Sequence, residues 1–463
     1  MLNHWLKLTT FSYAMLISPV IAEQMISEQI LGSIQLEGLK AGAHVLPSKG
    51  DNYAARERVG SMERYVTLQG PGPSFDRIFP GAVWIQGRLV YFAAKGGKNY
   101  LVDGPKSILI NGSPISPLIS QRILPSSDFN HYVAFFSDSK TVGWYKNGNL
   151  QPSRFDRLHD VPTNSPTSTP IFIAAKNCLM SVIGNPASAK MNWDLLRWIS
   201  STDDGVATFV YGDKAGRTLL HQNGKEIFDE PIEAFVFSRD GKRWLTVVDR
   251  TIDGADKVEL IDNGKPVAEA DVDKSRQQLY LSSDGSTWTW IIYSENALSA
   301  TLKQSGKPDR KLPFAPIEYE FYLSDDGLRE AYPTRTADNP PRIQFVVNGI
   351  NVASSPALIG KSFRFGPGQS FAYKTGEGDS KWIVSHLGTG TKFDEVSSVL
   401  FLPNGRPVYG ASNNSEHFIV LGLTVLKMPV DDLFYTSTLR IEDSKVKVLG
   451  KRGNDIVALT IAD

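Results

Sequence analysis

Ala234-Phe235-Val236-Phe237-Ser238-Arg239-Asp240-Gly241 runs, after Lys242 and Arg243, into Trp244-Leu245-Thr246-Val247-Val248. Two apolar runs of strand length flank a polar turn, and its Asp-Gly supplies the backbone freedom of a tight reversal. The signature returns at Leu279-Tyr280-Leu281-Ser282-Ser283-Asp284-Gly285 before Trp288-Thr289-Trp290-Ile291-Ile292. It returns again at Phe321-Tyr322-Leu323-Ser324-Asp325-Asp326-Gly327 before Ala331-Tyr332. Two further copies are Phe363-Arg364-Phe365-Gly366-Pro367-Gly368 before Phe371-Ala372-Tyr373, and Val399-Leu400-Phe401-Leu402-Pro403-Asn404-Gly405 before Val408-Tyr409. The turn glycines 241, 285, 327, 368 and 405 are 44, 42, 41 and 37 residues apart.

A second mark interleaves with the first. Asn111-Gly112, Asn147-Gly148, Asn223-Gly224, Asn263-Gly264, Ser305-Gly306 and Asn348-Gly349 step by 36, 76, 40, 42 and 43 residues, and Gly184-Asn185 falls near the middle of the long step. Asn-Gly suits a two-residue hairpin, whose central positions need positive φ. A third mark is Phe75-Asp76-Arg77-Ile78, Phe155-Asp156-Arg157-Leu158, Phe228-Asp229-Glu230 and Phe393-Asp394-Glu395-Val396. A unit of about 40 residues with this punctuation holds four short strands and no long helix. That is the blade of a β-propeller, an all-β fold whose antiparallel four-stranded sheets bury their faces against one another. Trp244, Trp288 and Trp290 fall on strand positions that such a core needs.

The pattern Phe237-Ser238-Arg239-Asp240-Gly241-Lys242 ahead of an aromatic strand resembles the TolB-type and WD-repeat-like propellers of bacteria, and Leu323-Ser324-Asp325-Asp326-Gly327 is the next best copy. The resemblance covers roughly 70–463 and implies the fold; its motifs mark turns, not chemistry. Unlike TolB, the chain shows no α/β domain ahead of the repeats, and unlike true WD repeats it does not repeat the Trp-Asp dipeptide, which occurs once, at Trp193-Asp194. Marks from Gly70 onward leave room for at most ten units, so seven to ten blades are expected, in one ring or two. Residues 23–69 read as a lead-in or as a segment that closes the ring. Val446-Lys447-Val448-Leu449 and Ile456-Val457-Ala458-Leu459-Thr460-Ile461 are strand-like to the end, which favours closure by terminal strands. The Pro/Ser/Thr-rich stretch Val161 to Pro170 reads as a loop or boundary.

Residues 1–22 read as a secretory leader. Lys7 is the only charge before Glu23, an apolar run from Leu8 to Ala22 follows, and Val20-Ile21-Ala22 precedes the cleavage point. The run is too short and interrupted to span about 30 Å of hydrocarbon. Cys178 is the one cysteine of the sequence, so no disulfide can form within the chain, which suits a bacterial periplasm better than eukaryotic secretion. Its strand-like setting reads as a buried core thiol.

Basic and acidic side chains number 49 each. That balance argues against a nucleic-acid partner, which needs an excess of Lys and Arg. A 41% hydrophobic share with 10% aromatics describes a packed chain. Seven histidines (4, 44, 131, 159, 221, 386 and 417) form no metal-ligand spacing. Asp203-Asp204, Asp325-Asp326, Asp431-Asp432 and Asp271 with Asp273 match no calcium loop and read as solvated turn acids. There is no Gly-x-Ser-x-Gly elbow, and none of the Gly-rich pieces Gly70-Pro71-Gly72-Pro73, Gly366-Pro367-Gly368 and Gly388-Thr389-Gly390 leads into Gly-Lys-Ser/Thr. Ser282-Ser283-Asp284-Gly285-Ser286-Thr287-Trp288 comes near the sialidase repeat but lacks its spacer between Asp and Gly. No catalytic, cofactor or metal residue is singled out. The expectation is an exported binding or scaffold propeller for a protein or envelope partner, with no membrane span in the mature chain. The alternative is a periplasmic hydrolase, glycosidase-like or peptidase-associated, with its site in the channel mouth.

Overall fold

A computed structural model gives the structure of the chain. It describes residues 26–33, 45–47, 53–115, 123–126, 129–138, 141–158, 172–177, 179–183, 192–202, 207–252, 254–271, 277–294, 299–312, 316–317, 320–336 and 342–462. Residues 1–22, Cys178, the stretch 161–170, Gly184-Asn185, Asp203-Asp204, Asp273 and three histidines (4, 44 and 159) lie outside them. The fold is an all-β propeller. The described residues form eleven antiparallel sheets, and the one helix among them is the single turn Tyr435–Thr438. In chain order the blades are 1 (45–71), 2 (77–110), 3 (113–150), 4 (157–193), 5 (195–228), 6 (234–271), 7 (277–312), 8 (322–355), 9 (357–389) and 10 (395–427). Blade 11 joins 432–461 to the N-terminal strand Ile26–Ser33.

Eleven is one more than the count the turn marks allow, because blade 1 lies ahead of Gly70. Its strands carry Arg56, Glu57, Arg58, Glu63 and Arg64, which hides them from an apolar pattern. Of these, Glu57 and Glu63 are buried, and each is paired with an arginine. Glu63, on the blade 2 side, takes Arg56 at 2.6 Å and the Ile78 N–H at 2.8 Å; Glu57 pairs with Arg64 across the strands. Each burial is tolerable only because the opposite charge comes with it.

There is one ring, not two. Each of eleven apolar clusters spans two consecutive blades. Ala54 and Tyr65 meet Leu89 and Tyr91 between blades 1 and 2; Leu245 and Leu260 meet Trp288 and Trp290 between blades 6 and 7. The last cluster packs Phe434, Leu449 and Ile456 of blade 11 on Tyr53 and Val66 of blade 1. Closure is made by Ile26–Ser33, which pairs antiparallel with Asp455–Ile461 from Ile26 opposite Ile461 to Ser33 opposite Asp455. Arg452 clamps this strand through both Glu28 oxygens, at 2.9 and 2.5 Å.

The first strand of each blade faces the axis, and first strands of neighbouring blades approach one another. The Ser-x-Asp-Gly turn follows that strand. Ser238 Oγ donates to Asp240 Oδ1 at 2.7 Å, Ser282 to Asp284 at 2.6 Å and Ser324 to Asp326 at 2.5 Å. Each turn also touches the next. Arg239 N–H donates to Ser283 O and Ser283 N–H to Asp325 O, both at 2.9 Å. A Cβ on Gly285 would lie 2.9 Å from Ser238 Cβ, and one on Gly327 equally close to Ser282 Cβ. The glycine is therefore required by blade packing as well as by φ near +70°.

The Asn-Gly hairpins join the outer two strands on the same face. Asn147, Asn223, Asn263 and Asn348 hold φ of 49°, 51°, 46° and 50°. Their Oδ1 atoms accept from the first N–H groups of the second strand, at Tyr132, Thr208, Trp244 and Glu330, over 2.8 to 3.0 Å. One residue so supplies both the left-handed backbone and a cross-strand bond. Asn348→Ala should lower stability by about 2 kcal/mol, from the left-handed strain and the lost bond together. Asn348→Gly should lose about half of that, because only the bond goes. Urea unfolding midpoints of the two variants check the order; equal losses would refute the dual role.

Candidate functional site at the channel rim

The width of the ring decides where a site can be. Sheets pack about 10 Å apart and strands lie about 4.8 Å apart, so eleven blades leave an axis roughly 20 Å across between inner backbones. The clefts along that wall lie between the first strands of neighbouring blades.

A cleft with a volume of about 680 Å³ lies at the inner rim of blades 8, 9 and 10. The first strand of blade 8, Tyr322–Leu323, and that of blade 9, Arg364–Phe365, form its two sides, and Phe401 of blade 10 closes one end. Phe363 forms the buried floor and stacks at 5.2 Å on Tyr322 and 4.9 Å on Phe345. Phe365, Phe401 and Tyr322 are half-buried and give the cleft its apolar wall.

Polar groups sit around that wall. Arg329 reaches from blade 8 to blade 9, donating to Gly366 O at 2.9 Å and Ser370 O at 3.2 Å with its guanidinium 4.7 Å from the Phe365 ring centre. Its role is a tie between blades. Tyr322 donates to Glu320 Oε2 at 2.6 Å, and burial first, then that carboxylate, pushes the phenol well above its ordinary pKa. It stays a neutral donor. Ser324 Oγ accepts the Arg329 N–H at 2.9 Å while donating to Asp326. Arg364 and Asp325 are exposed at the rim. The arrangement can hold an extended amphipathic segment, with apolar groups on the aromatic wall and charges of either sign at the edge.

Two members of the described acid pairs have structural roles. Asp326 belongs to its own turn, and Asp431 Oδ2 accepts the Gly453 N–H at 2.6 Å. No group of three His, Cys, Asp or Glu among the described residues could hold a metal ion. The described histidines are spread around the ring. His221 packs on Trp193 at 5.0 Å, and burial holds its pKa below the ordinary value; His131 contacts Asn147 at 2.8 Å. Trp244, Trp288 and Trp290 are buried between blades.

The Phe-Asp motif is a clasp. In the segment entering each new blade, Asp76, Asp156 and Asp394 cap the next hairpin by accepting from the N–H of Gly96, Asn177 and Asn414 at 2.7, 2.7 and 2.9 Å. Trp193-Asp194 and Val430-Asp431 do the same, at Ala215 and Gly453. They fall 38 and 37 residues after Asp156 and Asp394, a spacing that would have revealed them. Phe228-Asp229 is different: Asp229 pairs with Arg217 at 2.7 Å.

No family model matches this sequence, and no curated protein matches it. Similar solved structures include a crystal structure of the eukaryotic initiation factor, at 12% identity and a TM-score of 0.44, covering 81% of this chain and 94% of that one. TolB from Acinetobacter baumannii matches at 13% and 0.27, over 59% and 82% of the two chains. The β-propeller domain of the Trilobed protease from Pyrococcus furiosus matches at 11% and 0.31, over 60% and 96%.

Asp240 is held near pKa 2 by the Lys242 N–H and then by Ser238 Oγ; Asp284 and Asp326 are lowered by their serines and then by the following N–H groups. A depressed carboxyl contributes stability above its unfolded pKa of about 3.9 and loses it as pH falls through the folded value. The thermal midpoint should therefore fall between about pH 4 and pH 2. Asn404 fills the same place in blade 10, accepting the Arg406 N–H at 3.0 Å. Asp240→Asn should accordingly fold and show a shallower fall across that window; an unchanged slope would contradict the assignment.

Proposed function

We propose that the chain is an exported bacterial binding module that holds a protein or cell-envelope partner on its rim, chiefly at the cleft of blades 8 to 10. The observation that carries this reading is the half-buried aromatic wall of Tyr322, Phe365 and Phe401 beside the exposed charges of Arg364 and Asp325. A rigid ring with recognition on its turns suits binding, and the even charge balance suits a partner with charges of both signs. The hydroxyls of the cleft are engaged as donors to carboxylates, Tyr322 to Glu320 and Ser324 to Asp326, which fits a structural part for them. Export rests on residues 1–22 as a cleaved leader, with the periplasm as destination.

Two measurements test the reading. The protein recovered from bacteria expressing the full chain should begin at Glu23 and leave with the periplasmic fraction; an intact Met1 in the cytoplasm would refute export. The double charge reversal Asp325→Lys with Arg364→Glu changes exposed groups only. It should weaken capture of the endogenous partner about tenfold, or about 1.4 kcal/mol, at an unchanged melting temperature. Full retention by the variant would place recognition elsewhere.

A further inference from the structure

The first strand of blade 5, Leu195–Ser201, carries a bulge that the first strands of blades 6 to 8 lack. Leu196 pairs with Gly212 and Trp198 with Tyr211, so Arg197 is the extra residue. Strict alternation would put Leu196 and Trp198 on one face. Instead Leu196 joins the cluster between blades 4 and 5, and Trp198 the cluster between blades 5 and 6. Bulges that re-aim a side chain recur beside functional sites.

The re-aimed Trp198 opens onto a cleft of about 360 Å³ in the channel wall, within the roughly 300–1,000 Å³ of small-molecule sites. Trp198, Phe235 and Phe237, all half-buried, give it an aromatic side; Trp198 and Phe235 lie 4.9 Å apart at 32°. Ser200 and the exposed Glu233 give it a polar edge, and neither Lys nor Arg lines it. We propose that this cleft binds a neutral saccharide. A pyranose offers a face of C–H bonds to the electron-rich ring faces and hydroxyls to Glu233 and Ser200. A phosphate or carboxylate would meet Glu233 without a countercharge. A purely apolar ligand would strip water from that carboxylate and return no hydrogen bond. The site is separate from the rim cleft of blades 8 to 10 and does not depend on it.

The test titrates the intact protein with maltotetraose, cellotetraose and chitotetraose, followed by calorimetry and tryptophan emission. At least one should bind saturably with a Kd of about 1 mM or tighter. Glu233→Ala should weaken it about tenfold at an unchanged melting temperature, a loss typical of a hydrogen bond to a charged group. Trp198→Phe, which keeps a ring in the blade 5–6 core, should weaken binding and abolish the emission change. The rim variant Asp325→Lys with Arg364→Glu should bind sugar as the parent does. The proposal is overturned if none of the three sugars binds, or if both cleft variants bind as tightly as the parent. Tighter binding of inorganic phosphate at the cleft would overturn it equally.

Discussion

A blade has two apolar faces and two neighbours, and this sets the terms for the whole molecule. A single four-stranded sheet cannot bury both faces, and an open row of blades would leave two uncovered at its ends. The chain resolves this by bringing its ends together. Ile26–Ser33 supplies the fourth strand of blade 11, and Phe434, Leu449 and Ile456 then cover blade 1. Each of the eleven apolar clusters is shared between two blades, and the one between blades 11 and 1 is made by that closure. The Arg452–Glu28 clamp lies half-exposed, so its electrostatic part is modest beside the strand pairing and the apolar burial.

Around this frame the repeated residues act between elements. The turn serine and aspartate fold the turn, the turn glycine lets the previous blade's serine approach, and Arg243 reaches Gly285 O in the next blade while pairing with Asp262 in its own. The Phe-Asp clasp ties the chain entering a blade to that blade's own hairpin and buries its aromatic ring in the interface. Composition alone would assign such residues to solvated turns. Their spacing marks them as joints, since a joint must recur wherever two blades meet.

Blades 6 to 8 were legible because turn, hairpin and aromatic strand all keep their marks there. Blade 1 was not, and the reason is physical. Glu57 and Glu63 are buried by pairing with the half-buried Arg64 and Arg56 across strands, a tertiary arrangement that no linear pattern records. Its first strand, Val45–Pro47, is also only three residues long. The rim cleft shows the same limit. Tyr322, Arg364 and Phe401 stand about one blade apart in sequence, so their equivalence was readable but their convergence was not. The bulge at Arg197 was invisible because it is a matter of register, and register is set by the partner strand.

Regularity and function pull in different directions in such a ring. A strictly repeated blade would present eleven equivalent inner walls. Selectivity must then come from departures at single boundaries. The structure shows two departures of different kinds. Between blades 8 and 9 the turn changes from Ser-x-Asp-Gly to Gly366-Pro367-Gly368, and Arg329 bridges the altered turn beneath an aromatic wall. Between blades 5 and 6 one extra residue turns a tryptophan from one interface to another. Both leave the interblade clusters intact, because Tyr322, Phe365 and Trp198 pack against those clusters while they also line the clefts. A ring that closes through its terminal strand can therefore vary one wall without reopening the rest.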